Sequence, residues 1–530
     1  MLISAIALST PVIAQPSLGN EAVMASSPFE VSYKETSNWG SGFNGQFTVK
    51  NTGNTAIKNW VLRFNWQSNI TSIWEARLIS RDVAAGLYTM SDSGWNASIA
   101  PGASVSFGVG GVPSATAPNN FDLNGLSIAK FENTDFEKSL SSWSIEQGQV
   151  IPGQIRVEEG VGRNNSKGLV IDHAGMRNVT AVYQTASGLT LGQAYVASAW
   201  VKMENVQPKQ GADTGVILTS WKKWAYGEGG TSSEGSTGTS DWRKLEYTFV
   251  ANAPTHDLAV KLGQWSSEAS GKAIFDDFKI EKLHETRNSL KHLSFQLLKS
   301  DFTAINDSQW GAWMTRLDSA YEAYQELVGS APFKGERMKI LGVTQYPGGW
   351  AVAGNPILWM EQYVPESLAR ANVNNDWNFG IMHEMGHNFD LDYRWVWGGS
   401  GAELLANFKM YYVVETLGAV VYPNDQGYRG AGLREFYYNK CDDLNQDRVC
   451  DINGDTITAR LIRIRFKLGN WDAYKKTFRE IQALPAAQAP QSNRAKFDLF
   501  VDVLSRHSSL NIRAEFTPEE LAFIAADHKD

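Results

Sequence analysis

Within the 530 residues, one short run carries a spacing that can do chemistry: His383-Glu384-Met385-Gly386-His387. On a helix a step of four residues is a little over one turn, so His383 and His387 point the same way. Two neutral imidazoles on one face can reach a single zinc ion at about 2.0–2.1 Å. Glu384, beside the first ligand, is set to act as general base on the water that such an ion activates. The chemistry expected is metal-assisted hydrolysis at a carbonyl. The chain holds eight histidines, so a chance match to this pattern is expected far less than once.

A catalytic zinc takes three protein ligands and keeps a fourth position open. Asp390 and Tyr393 stand where the metzincin pattern has a glycine and its third ligand, which excludes that pattern. Glu403 is the leading candidate, in Ser400-Gly401-Ala402-Glu403-Leu404-Leu405-Ala406-Asn407, where an amphipathic helix is expected to run on through Tyr412. Glu403 and Asn407 share one face of it. Ser400-x-x-Glu403 is also a capping box, in which the glutamate would return to the N-cap amide. Asp392 and Glu415 are held in reserve as ligands. Asn375 and Asp376 offer caps for the histidine helix, and Phe379, Met382, Gly386 and Phe389 form its apolar stripe. Gly386 costs helix stability but permits close approach of a neighbouring helix.

The surrounding chain is too long for one hydrophobic core, and about three domains are expected. Net charge is −8, which argues against a surface that coats nucleic acid. Met1 to Ala14 reads as an apolar h-region, and Val12-Ile13-Ala14 before Gln15 resembles a signal-peptidase site, although a basic n-region is missing. Residues 1–26 are therefore read as signal peptide and leader, and the protein as secreted and extracellular. No stretch is long and apolar enough to span a bilayer. The two cysteines, Cys441 and Cys450, are expected to form a local disulfide worth roughly 2–3 kcal/mol.

Residues 27–128 alternate with the period of strands, as in Trp60-Val61-Leu62-Arg63-Phe64 and Val105-Ser106-Phe107-Gly108-Val109, and read as a β-sandwich. Asn38-Trp39-Gly40-Ser41-Gly42-Phe43, Val49-Lys50-Asn51-Thr52-Gly53, Asn59-Trp60, Trp95-Asn96 and Leu123-Asn124-Gly125 follow one another in the order of the family-two cellulose-binding modules, which this region resembles. The resemblance implies three surface tryptophans against polysaccharide, Trp39, Trp74 and Trp95, with Trp60 in the core; Trp66 lies near Trp74 as an alternative. Phe29 and Ile128 stand where the family's terminal cysteines would be, so packing must hold the ends.

Residues 129–283 form a second β-rich unit, opening with Phe131-Glu132-Asn133-Thr134-Asp135-Phe136-Glu137 and closing with Ile274-Phe275-Asp276-Asp277-Phe278. This frame resembles the jelly-roll carbohydrate-binding modules of galactose-binding-like fold. The resemblance implies a structural calcium, with Glu132 and Asp277 as the positions to test. Trp221, Trp224, Tyr226 and Trp265 are candidate sugar platforms, because a pyranose face stacks on an aromatic ring. Asp443-x-Asn445-x-Asp447 and Asp451-x-Asn453-x-Asp455 alternate oxygen ligands as calcium loops do, but the EF-hand pattern then fails at Arg448 and Gly454.

From residue 284 to 530 helical periodicity is expected: Leu290, Leu293, Leu297 and Leu298, then Trp313, Leu317, Tyr321, Tyr324 and Leu327. His383-Glu384-Met385-Gly386-His387-Asn388, the spacing to Glu403, Asn407 four residues later and Gly354-Asn355-Pro356-Ile357 upstream resemble the enhancin family of gluzincin peptidases, which attack mucins and other glycosylated proteins. The resemblance implies His383, His387 and Glu403 as zinc ligands and Glu384 as base, in a mainly helical domain. The family often has Gln where this chain has Asp390. The oxyanion donor stays open among Tyr393, Tyr411, Tyr412 and His507.

The expected whole is a secreted zinc endopeptidase acting on mucin-like or cell-wall glycoproteins. Its two sugar-binding β-domains would hold it on glycan or on a cellulose- or chitin-like polysaccharide. The alternative is a glycan-binding adhesin with a degenerate zinc domain, against which the ligands and Glu384 are intact. A glycosidase would need paired carboxylates at a sugar site, and no convincing pair stands out.

Overall fold

The computed structural model describes residues 29–527 apart from 54–55, 83–85, 113–116, 124–125, 128–130, 149–152, 210–213, 222–231, 254, 265–266, 398, 425 and 440–451. The expected leader, the pair Cys441 and Cys450, and Ile128, Trp224, Tyr226 and Trp265 lie outside the described residues. The chain divides into two compact units, Met1–Ile128 and Ala129–Asp530.

The first unit is a β-sandwich. One sheet has the order Phe29–Asn38, Phe43–Asn51, Ser104–Val112, Asn69–Trp74; the other has Leu126–Ser127, Asn119–Leu123, Val61–Asn65, Leu87–Asp92, Ala76–Asp82. Successive side chains of a strand point to opposite faces, and Phe43, Phe47 and Val49 accordingly enter the core while Gln46 and Lys50 face outward. Phe47 stacks on Phe107 at 4.8 Å, and Trp60 lies 5.6 Å from the same ring. The Trp60 indole N–H donates to the Asn96 carbonyl at 2.9 Å, so its one polar atom is satisfied inside the core. Phe29 is fully buried and pairs with Asn51, which secures that end by packing.

The second unit begins with the jelly roll. Its sheets have the orders Ser144–Gln147, Thr180–Ser187, Thr255–Leu262, Val216–Ser220 and Ile155–Glu158, Gly168–Asp172, Ala269–Glu281, Ala194–Pro208, Gly238–Val250. Phe136, Trp143 and Phe278 close the core at its joined ends, with Trp143 4.8 Å from Phe278.

The expected helix near residue 290 is not there. His284–Asn288 and Leu293–Leu298 are an antiparallel hairpin, with Leu290 exposed at its turn. A short apolar run fits a buried strand and a helix equally well by periodicity; here neighbouring strands decide. Leu293–Leu298 runs parallel to Met338–Val343, which runs parallel to Ile357–Met360, and Ala351–Val352 adds an antiparallel edge.

This sheet docks on the jelly roll through two glutamines. The Gln296 amide accepts from Ala194 N–H at 2.8 Å and donates to the Gly192 carbonyl at 2.7 Å. Gln345 accepts from Thr248 N–H at 2.8 Å and donates to its carbonyl at 3.0 Å. Each satisfies strand backbone groups that burial would otherwise orphan.

The rest is helical, as expected. Helix α1 (Asp307–Val328) starts at a capping box between Asn306 and Gln309 and ends on a left-handed Gly329. It buries Trp313, Leu317, Tyr321, Tyr324 and Leu327. After α2 (Val364–Val373) come α3 (Phe379–Asn388) and α4 (Gly399–Leu417), then five shorter helices at 430–438, 454–468, 472–483, 493–508 and 518–527. The helix at 454–468 takes Asn453 as its N-cap; this residue of the suspected calcium loop has a helix-capping role, and the loop up to Asp451 lies outside the described residues.

Candidate metal centre

Helix α3 is capped by Asn378, whose side chain accepts from Ile381 N–H at 2.9 Å, while Asp376 accepts from Asn378 N–H at 2.7 Å. The cap therefore falls later than expected from Asn375 and Asp376, with Asp376 acting one step upstream. Met382, Met385 and Phe389 anchor the helix in the core, and the Tyr324 hydroxyl donates to the Met382 carbonyl at 2.7 Å. Helix α4 crosses at Gly386: a Cβ there would sit 3.0 Å from the Ala406 carbonyl oxygen. The lack of a side chain lets the two helices approach closely enough to share one site.

At that crossing three side chains converge. Glu403 Oε2 lies 3.0 Å from His383 Nε2, Glu403 Oε1 lies 3.5 Å from His387 Nε2, and the two Nε2 atoms are 3.0 Å apart. Glu403 is turned to the histidines, which sets the capping-box reading aside. Among the described residues this is the one group of three or more His, Cys, Asp or Glu side chains whose ligand atoms all lie within 4.8 Å of one another. Burial opposes charge on His387, but the carboxylates of Asp390 and Glu403 outweigh it and push its pKa up to about 9. Hydrogen bonds from His383 and His387 hold the Glu403 carboxyl well below the usual carboxylate range, against a smaller opposing effect of burial. The trio thus favours a positive charge at its centre. Two imidazole nitrogens and one carboxylate, with a side still open, fit a zinc ion in donor type and number.

Glu384 is buried on the same helix. Burial raises its pKa, outweighing His383 and His387, which lower it; Glu403 raises it further and the Ala353 backbone N–H lowers it slightly. His383 is oriented from behind by Asn407, whose amide oxygen lies 2.9 Å from its Nδ1. Asn388 grips the strap beside the helix from both sides: Gly354 N–H donates to its amide oxygen and its amide donates to the Gly354 carbonyl, each at 2.9 Å.

The reserve ligands are placed elsewhere. Glu415 accepts from the Trp471 indole at 2.6 Å and pairs with Arg465 at 3.0 Å. Asp392 lines a cleft with His387 but does not join the trio. Among the oxyanion candidates, Tyr411 donates to Glu415 at 3.2 Å, Tyr412 is buried, and His507 lies 2.7 Å from Glu480. Tyr393 lines the cleft of about 510 Å³ beside His387, with Phe333, Lys334 and Gln482.

A second cleft, about 280 Å³, flanks the start of α3 and was not foreseen in the sequence. Its wall includes the partly exposed Trp350 and Tyr363, with Arg370, Phe379 and Tyr422. Trp350 lies over Gly380 so closely that any Cβ would overlap its ring. Phe379 stacks on His383 at 6.1 Å, linking this cleft to the trio.

In the first unit Trp39, Trp74 and Trp95 are 60%, 44% and 75% exposed, whereas Trp60 and Trp66 are buried. The alternative of Trp66 as a surface ring therefore falls. Trp74 rests against Gly108 on the neighbouring strand, where a Cβ would overlap the indole. In the jelly roll, Trp221 lies 5.7 Å from Tyr183 with the Lys261 ammonium 5.2 Å from its ring. Asp277 pairs with Arg163, and Glu132 accepts from the Ser142 hydroxyl at 3.0 Å. Neither belongs to a metal-compatible group of three such side chains among the described residues.

Comparison with known proteins divides the chain along the same lines. The family described as cellulose binding domain matches residues 29–128, and the family described as peptidase M60, enhancin and enhancin-like, matches residues 289–517. Chitinase 63 of Streptomyces plicatus is 31% identical over 216 residues, 40% of this chain and 34% of that protein. The chain thus spans about a third of the length of this curated relative. Endoglucanase B of Cellvibrio japonicus is 40% identical over 81 residues, 15% of each chain. A solved metallopeptidase from Bacteroides thetaiotaomicron is 12% identical with a TM-score of 0.32, covering 62% of this chain and 58% of its own.

Proposed function

From a chain whose C-terminal region belongs to the enhancin and enhancin-like peptidase family, a family of metallopeptidases, and whose first unit is a cellulose binding domain, we propose a secreted zinc endopeptidase that hydrolyses peptide bonds of glycosylated proteins. The observation that carries this reading is the convergence of His383, His387 and Glu403, with Glu384 buried beside them. Zinc held by that trio would polarise the scissile carbonyl and lower the pKa of the attacking water towards about 7.

The chain's own residues supply the proton traffic. Glu384, buried beside the trio with its pKa raised by that burial, takes the proton of the attacking water and returns it to the leaving amine. Tyr393, at the rim beside His387, is the best-placed of the candidate oxyanion donors. Asn407 holds the His383 ring.

Two features support a glycosylated substrate. The exposed rings of Trp39, Trp74 and Trp95 suit a cellulose- or chitin-like polysaccharide and would raise the local concentration of enzyme at glycan. Trp350 and Tyr363 offer aromatic faces near the scissile position, with Arg370 and Glu366 as polar neighbours, an arrangement that suits a sugar. No helix among the described residues is long and apolar enough to cross a membrane, and action outside the cell suits such a substrate.

The test is cleavage of an O-glycosylated mucin-type protein beside the same protein stripped of its glycans. Cleavage of the glycosylated form alone is expected. Equal cleavage of both would make this a general protease.

A further inference from the structure

The third residue after His387 is Asp390, and it is buried against a buried lysine, Lys409. Resting on the metal-centre reading above, we propose that Asp390 is a positioning residue that orients the His387 imidazole, and that Lys409 holds Asp390 in place for that task.

The contacts are directional. The Lys409 ammonium donates to Asp390 Oδ1. The other oxygen, Oδ2, is buried without a hydrogen-bond partner and lies 3.7 Å from His387 Nδ1. That is an ion-pair separation, about half an ångström beyond a hydrogen bond. The Asp390 N–H donates to the His387 carbonyl at 2.8 Å, so the aspartate is fixed to the end of α3 from which it acts.

The pair does more than pack. A buried ion pair is weak support for stability by itself, because desolvation offsets attraction and an apolar pair of similar volume often serves as well. A metal-ligating histidine needs an acceptor on its second nitrogen to fix its tautomer and ring plane. His383 has Asn407, and Asp390 Oδ2 is the acceptor within reach of His387 Nδ1. Both supports trace to α4: Asn407 sits on it, and Asp390 is held by Lys409, two residues further along. The helix that brings Glu403 thereby fixes the orientation of the other two ligands.

The test uses the full chain, with zinc affinity measured by chelator competition and melting temperature measured on the same samples. Lys409→Met alone strands a buried carboxylate and is expected to lower the melting temperature. Asp390→Leu with Lys409→Met removes both charges; its melting temperature is expected to recover while zinc affinity stays about 10- to 100-fold below wild type. Asp390→Asn with Lys409→Gln keeps an acceptor for His387 and is expected to bind zinc within a few-fold of wild type. Wild-type affinity in the Leu/Met variant overturns the proposal, as does an Asn/Gln variant that folds yet binds as weakly as Leu/Met. If Leu/Met fails to fold, the Asn/Gln variant decides alone: near-wild-type affinity supports the proposal and a 10-fold or larger loss overturns it. A wild type that takes up no zinc sinks the metal-centre reading itself, an outcome distinct from all of these.

Discussion

The Asn407 amide oxygen lies 2.9 Å from His383 Nδ1, one turn along α4 from Glu403. One helix thus presents a carboxylate to the open side of the His383 ring and an acceptor to its far side. Asn407→Ala removes only the far contact. Zinc affinity is expected to fall about tenfold or more, with far-ultraviolet circular dichroism unchanged. Unaltered affinity would reduce Asn407 to packing.

The closeness of α3 and α4 makes a second prediction. Alanine is the better helix former by about 1 kcal/mol, so on an isolated helix Gly386→Ala would stabilise. Here the new Cβ would meet the Ala406 backbone at 3.0–3.2 Å, and overpacking costs about 1–3 kcal/mol. The variant is expected to melt below wild type and to bind zinc more weakly, because Glu403 moves with α4. A raised melting temperature would show that the helices separate freely.

The exposed and buried tryptophans of the first unit should behave oppositely. Trp39→Ala and Trp95→Ala each remove an exposed ring. Each is expected to weaken binding to insoluble cellulose or chitin by about 1 kcal/mol, roughly fivefold, without moving the melting transition. Trp60→Ala empties a core position and is expected to cost about 3–5 kcal/mol. Pull-down on the polysaccharides and calorimetry separate the two effects.

A pH dependence of stability follows from a buried acid pair. Burial first, then the neighbouring Glu361 carboxyl, push Asp301 from 3.8 up to about 8, with His284 opposing; burial pushes Glu361 from 4.5 up to about 7. His284 Nε2 lies 3.2 Å from Glu361 Oε1 and 2.8 Å from the Gly342 carbonyl. Both acids bind protons more tightly folded than unfolded. Their stabilising contribution is complete below about pH 4 and is lost as pH rises through about 7 to 8. Melting temperature against pH is expected to fall across that window, and Glu361→Gln to flatten the slope. A slope unchanged in Glu361→Gln would contradict this.

Much of this was legible in the sequence because single residues left few choices. His383, Glu384 and His387 are a spacing that only a helix turns into a site, and Gly386 announced the helix that must pass it. Trp60 and the outward tryptophans could be sorted by their places in the order of motifs shared with the family-two modules, since Trp39 and Trp95 lie in turns to which strand alternation assigns no face. The hairpin at 284–298 was not legible: its leucines fit either period, and the choice is made by pairing with Met338–Val343, whose partners lie 45 residues away in sequence, as in Leu293 with Met338. Trp350 beside the trio was missed for the same reason. Its place depends on lying over Gly380, a residue whose missing side chain gives no pattern. Lys409 was hidden because the helix was expected to be amphipathic, where a charge reads as a surface position; the stretch from Phe408 to Val414 is instead buried on all sides, and so is the partner, Asp390.

The most direct measurement of the central claim pairs zinc content with cleavage of an O-glycosylated protein, for wild type and Glu384→Ala side by side. The expected result is about one zinc per chain in both and cleavage by wild type alone. Wild type without zinc, or Glu384→Ala that cleaves as well as wild type, would contradict it.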